Sequence, residues 1–153
     1  MRISQASAYG LHALMYMARH VTQLPATSRT IARAEGMPQG YVAKVLQRLV
    51  KAGFVRAVQG RARGYVFAVP PEEIHLLGVL EALEGEPLFD DCPLRHCACN
   101  GTVQNCHIYA EWSSASRRMK ESLEATTVAV AAWNHPEHRF SETRRRTPKG
   151  KTG

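Results

Sequence analysis

The apolar positions of this chain fall into helical spacings, interrupted once by a short alternating stretch. Leu11, Leu14, Met15 and Ala18 recur at intervals that place them on one face of a first helix. Ser4 stands where its N-cap is expected, and the pattern ends near His20. Beyond Pro25, Thr27-Ser28 predicts the start of a short helix with Ile31 and Ala34 inward, stopped by Gly36. A third helix is predicted from Gln39 to Ala52 and closed by Gly53. Its Val42, Val45, Leu46 and Leu49 follow i, i+3, i+4, i+7 and belong to the core. Gln39, Tyr41, Lys44, Arg48 and Lys51 are left on the opposite face.

The period then changes. Residues 54–58 alternate as a strand, 59–64 form a turn bounded by Gly60 and Gly64, and 65–69 read as a second strand. The helical period returns over 71–84, with Ile74, Leu77, Leu80 and Leu83 on one face. Gly85 and Pro87 lead into a loop over 88–106. From Ile108 the series Trp112, Ala115, Met119, Leu123, Thr126, Val130 and Trp133 steps by threes and fours. That predicts one long helix of about 39 Å whose apolar seam suits a partner helix. Residues 134–153 lack a periodic apolar face, carry Arg144-Arg145-Arg146, and read as a disordered basic tail.

The expected fold is therefore mainly α with a small β wing. A winged helix-turn-helix domain occupies 1–69 and a connecting helix 70–87. A cysteine-rich loop follows over 88–106, then a dimerisation helix over 107–133. Two short helices joined by a glycine-containing turn, the second with a basic polar face, form the helix-turn-helix pattern. The hairpin after it carries Arg61 and Arg63 at its tip, where guanidinium groups suit a narrow minor groove.

Charge sharpens the reading. The net +7 is distributed as +9 over residues 1–68, −6 over 69–133 and +4 over the tail, and Glu35 is the one acid of the first 68 residues. Such a half is the electrostatic footprint of a polyanion-binding surface. The expected DNA contacts are Ser28, Gln39, Tyr41, Lys44, Arg48, Arg61 and Arg63. No stretch reaches the roughly 18–20 apolar residues of a membrane span, and no cleavage site follows the apolar run of the first helix. A cytoplasmic protein is expected, and there clustered cysteines point to metal or redox chemistry rather than disulfides.

All four cysteines, Cys92, Cys97, Cys99 and Cys106, lie within fifteen residues. Cys92, Cys99 and Cys106 are evenly spaced and Cys97 breaks the regularity. Soft thiolates suit iron–sulfur clusters and zinc alike, but C-x4-C and C-x-C gaps fit structural zinc poorly. A metal-free thiol switch is the other alternative. An enzyme built on Cys106 with His107 lacks an orienting acid and any nucleophile or phosphate-cradling motif.

Met1-Arg2-Ile3-Ser4, Tyr9-Gly10-Leu11-His12-Ala13-Leu14, Gly53-Phe54-Val55-Arg56 through Gly64-Tyr65, and the position of the cysteine loop together resemble the iron–sulfur-linked bacterial regulators that include IscR, NsrR and RirA. The resemblance covers roughly residues 1–133. It implies a homodimeric transcriptional regulator, a repressor, that binds a palindromic double-stranded operator. It also implies a [2Fe–2S] or [4Fe–4S] cluster in the loop, held by Cys92, Cys99 and Cys106, with redox state, nitric oxide or iron as the signal. Where NsrR-like members place an aspartate ligand on the first helix this chain has Ala8, and where IscR-like members place a loop histidine it has Tyr109. His12, one turn beyond Ala8, is then the candidate fourth ligand from the partner subunit, with His107 as the local alternative. His107 neighbours Cys106, and adjacent helical residues point about 100° apart, so the two can share a cluster only if the helix start is non-helical.

Overall fold

The computed structural model describes residues 3–90, 92 and 106–136. The first helix, α1 (Gln5–Arg19), starts where Ser4 accepts a hydrogen bond from the Ser7 amide. It buries Tyr9, Gly10, Ala13, Leu14 and Met17. A 3-10 turn at Val21–Gln23 leads to α2 (Ser28–Glu35). Thr27 caps α2 through the Thr30 amide, and Gly36 ends it in the left-handed region. α3 (Gln39–Lys51) buries Val42, Val45, Leu46 and Leu49, the four residues that its periodicity assigns to the core.

β1 (Val55–Val58) and β2 (Gly64–Phe67) form a two-stranded antiparallel hairpin, with Val55 opposite Phe67 and Val58 opposite Gly64. The hairpin is not a free arm. Ala26 and Tyr65 exchange both backbone hydrogen bonds, at 3.1 and 2.8 Å, which ties the wing to the segment entering α2. Gly64 makes this approach possible: its φ is +146°, and a Cβ there would lie 2.7 Å from the Ala26 carbonyl. Gly64→Ala is expected to cost about 2 kcal/mol through backbone strain and to loosen the wing. Urea unfolding of the full chain checks this, and a variant as stable as wild type would refute it.

The connecting helix, α4 (Leu76–Glu84), begins five residues later than the expected Pro71. Residues 70–75 turn instead: the Glu73 amide donates to Pro70, and His75 pairs with Thr127 in an isolated bridge. Ile74 is buried even so, which explains its place in the apolar pattern.

The long helix expected over 107–133 is two helices, α5 (His107–Ala125) and α6 (Val128–Asn134). Thr126 and Thr127 have extended backbones, and the Thr127 side chain caps α6 through the Val130 amide. The break is fixed from outside as well, because the Leu76 amide donates to Thr126 and the Val128 amide donates to Ile74. α6 then packs on α1, burying Val128 and Ala132 within the protomer. The seam is thus split. Of α5 only Ser116 is buried, while Ile108 and Met119 are half exposed. Asn134 still belongs to α6, and the part of the basic tail beyond residue 136 lies outside the described residues.

Candidate nucleic-acid interface and cysteine loop

The N-termini of α2 and α3 and the turn of the hairpin converge on one cleft. Its lining includes Ser28 and Arg29 from α2, Gln39 from α3, and Gln59 and Arg63 from the wing. Ser28, Gln39 and Arg63, expected as DNA contacts, are therefore brought together. Arg29 and Gln59 join them without having been singled out; the sign of Arg29 was its position in the first turn of α2, where a polar side chain beside the helix start faces outward. Amide N–H groups at two helix starts and two guanidinium side chains make the cleft suited to phosphate oxygens.

The exposed face of α3 continues from the cleft. Lys44 is exposed, and Tyr41 is 44% exposed with its ring edge-on to Tyr9 at 5.4 Å. Tyr9 is itself held by a 2.7 Å hydrogen bond from the Gln5 side chain, so α1 fixes the orientation of Tyr41. Arg61 sits exposed at the wing turn, outside the cleft lining. Arg48 differs: its guanidinium donates to the Leu83 carbonyl at the end of α4.

His12 faces its own protomer. Its Nδ1 lies 3.1 Å from Glu35 Oε2, and Arg19 donates to Glu35 Oε1 at 2.8 Å. The His12 ring also meets His135 edge-on at 5.2 Å. Glu35, the lone acid of the basic half, is thus a buried clamp joining α1 to α2, with the end of α6 beside it. Sequence reasoning had found the acid but not its partners, because pairing of residues 12, 19 and 35 is a tertiary fact.

Of the cysteines, Cys92 and Cys106 are described; both are free thiols and half-buried. Cys97 and Cys99 lie outside the described residues. Cys106 is the N-cap of α5, with an extended backbone (φ −82°, ψ 108°) and its sulfur accepting the Tyr109 amide at 3.5 Å. The helix therefore starts after Cys106, which is the non-helical start that a shared cluster with His107 requires. His107 itself is exposed as the first residue of α5. The stem before Cys92 is anchored twice: the Leu88 amide donates to Glu81 at 3.0 Å, and Lys120 of α5 pairs with Asp90. No group of three or more metal-ligating side chains comes together among the described residues, and none of their helices is long and apolar enough to cross a membrane.

Residues 3–132 match the Rrf2 family model, described as an iron-dependent transcriptional regulator. The chain is 28% identical over 129 residues to protein rrf2 of Nitratidesulfovibrio vulgaris, covering 84% of this chain and 85% of that one. Among solved structures, CymR, the global cysteine regulator of B. subtilis, superposes with a TM-score of 0.72 at 24% identity, over 87% of this chain and 97% of that one. T. potens IscR superposes with a TM-score of 0.70 at 24% identity, over 93% of each chain. The likeness in both structures is one of fold, and that fold is the winged helix built above. Family and relatives are transcriptional regulators, not enzymes. A helix-turn-helix with a basic cleft, a wing docked on α2 and a family match over 3–132 identify the chain as a DNA-binding transcriptional regulator of the Rrf2 family.

Proposed function

We propose that the chain is a homodimeric, cytoplasmic repressor whose affinity for a palindromic operator is set by an iron–sulfur cluster in the cysteine loop. Ser28, Gln39, Tyr41, Lys44, Arg61 and Arg63 are the DNA contacts, with Gln39 and Tyr41 at the end of α3 that meets base edges. The second subunit docks on the apolar stripe of α5, a helix of 19 residues that buries almost nothing in its own protomer. Two recognition helices held about one helical turn of DNA apart then read the two half-sites.

The observation that carries the cluster reading is the placement of two free thiols, Cys92 and Cys106, at the ends of a loop whose stem is anchored to α4 and α5. The residues fit the group. Sulfur donors match its softness, and the amide donated by Tyr109 to Cys106 is the kind of hydrogen bond that tunes cluster potential. Cys92, Cys99 and Cys106 would hold it, with a fourth ligand from His12 or His107. A carboxylate on one ring nitrogen is the common way to orient a metal-ligating histidine, and Glu35 does this for His12. When bound, such a cluster supplies sensitivity to oxygen, nitric oxide and iron supply. The chain's part is to anchor the stem of the loop, through Leu88 and Asp90, on α4 and α5 and to change the spacing of the α3 helices when the loop changes.

Anaerobic purification tests the ligand set. Alanine at Cys92, Cys99 or Cys106 should abolish visible absorption and bound iron, while Cys97→Ala should keep both. Bleaching by Cys97→Ala alone would exchange the trio. A second reading, a cluster-free thiol regulator, draws on the likeness to CymR and the free state of Cys92 and Cys106; it predicts a colourless protein whose DNA affinity follows thiol oxidation.

A further inference from the structure

The last turn of α4 is a junction between the recognition helix, α1 and the stem of the cysteine loop. Arg48, in the last turn of α3, donates to the Leu83 carbonyl. That carbonyl is one of the orphan acceptors at a helix C-terminus, where a cation is also favoured by the helix dipole. The Leu83 side chain is 2% exposed and fills the space over Gly10, where a Cβ would come within 2.3 Å of Leu83 Cδ1 and 3.1 Å of Val45 Cγ1. α1, α3 and α4 therefore meet without slack at this level.

The next residue completes the junction. Glu84 accepts a 2.5 Å hydrogen bond from the Ser7 hydroxyl and a 2.9 Å bond from the Ser4 amide. Burial pushes its carboxyl up, but the Ser7 and Ser4 hydrogen bonds and the nearby Arg48 charge outweigh this and hold it below its ordinary value. Gly85 then ends α4 in the left-handed region, and three residues on the Leu88 amide returns to Glu81. The chain that leaves this junction reaches Cys92 within seven residues of Gly85.

We propose that Arg48 is a positioning residue: it locks the recognition helix to the end of α4, so that the stem of the cysteine loop governs how α3 is presented to DNA. This assigns Arg48 a role other than the phosphate contact its place on the polar face of α3 suggests. It rests on the DNA-binding reading of α3 above. Glu84 is the second half of the device, fixing the same turn of α4 to the start of α1.

The experiment compares Arg48→Ala, Glu84→Ala and the control Lys44→Ala in the full chain. Each is titrated with a duplex selected from a random pool by the wild-type protein, across a salt series. Amide hydrogen exchange is measured on the same proteins without DNA. Arg48→Ala should lower affinity about tenfold, an ordinary coupling between sites, with the salt slope of wild type. Glu84→Ala should also weaken binding, although it removes a negative charge and simple electrostatics favours tighter binding. Both should speed exchange of the Gly85 and Leu88 amides at least fivefold, while Lys44→Ala lowers the salt slope by about one unit and leaves exchange unchanged. A salt slope reduced by about one in Arg48→Ala with unchanged exchange makes it a phosphate contact and overturns the proposal, as does tighter binding by Glu84→Ala. A wild-type chain that selects no duplex defeats the DNA reading instead, and the exchange comparison still decides whether Arg48 holds the end of α4.

Discussion

Glu35→Ala is expected to destabilise the chain by about 3–5 kcal/mol, the largest effect of any single substitution considered. The carboxylate is 5% exposed and receives Arg19 on one oxygen and His12 on the other. Arg19 and His12 are themselves nearly covered, with side chains 13% and 12% exposed. Removing the acid strands a guanidinium that cannot deprotonate in a low-dielectric setting. Arg19 has little to fall back on, since its Nη1 is buried with no hydrogen-bond partner among the described residues. Replacing the Arg19–Glu35 ion pair at once, Arg19→Met with Glu35→Leu, should recover most of the loss, because the guanidinium is then no longer left buried without its carboxylate. Urea unfolding at one fixed protein concentration measures both. A loss below about 1 kcal/mol in Glu35→Ala would mean that the clamp is solvated and that α2 is held by its apolar face alone.

The second large effect concerns the wing. In Arg61→Ala/Arg63→Ala, DNA affinity at physiological salt should fall by about one to two orders of magnitude, and the salt slope should drop by about two units. Both side chains are exposed, and Arg63 lies on the cleft shared with Ser28 and Gln39. Among the described residues neither makes the kind of intramolecular bond that engages Arg48, so their removal should leave the fold unaltered and strip two cations from the proposed DNA face. Stability should therefore be unchanged within about 0.5 kcal/mol, the usual scatter for surface changes. An unchanged salt slope would remove the wing from the interface.

Much of this architecture was legible from local signals. Ser4, Thr27 and Gly36 mark helix ends through hydrogen bonds and backbone angles that involve only their immediate neighbours, and each stands where the sequence puts it. The core face of α3 follows from period alone. The failures are of another kind. The apolar steps from Ile108 to Trp133 run straight across Thr126 and Thr127, so periodicity could not see the break; the sign was a β-branched pair whose second member is a good N-cap. The late start of α4 depends on His75 pairing with Thr127, a contact over fifty residues. Arg48 lies on the polar face of α3 by any helical wheel, but a wheel does not show that the end of α4 packs there. The same holds for His12. Its spacing from Ala8 was readable, but its hydrogen bond to Glu35 was not.

The claim that joins these parts is that the cysteine loop controls DNA affinity through a bound cluster. The most direct measurement takes one anaerobic preparation from iron-replete cells and titrates it against its selected duplex before and after iron removal, with visible absorption recorded on the same sample. The expected result is a coloured protein that bleaches on iron removal, with a change in affinity of about fivefold or more, the lower end of ordinary coupling between sites. A colourless, iron-free preparation, or a coloured one whose DNA affinity is the same before and after bleaching, would contradict it.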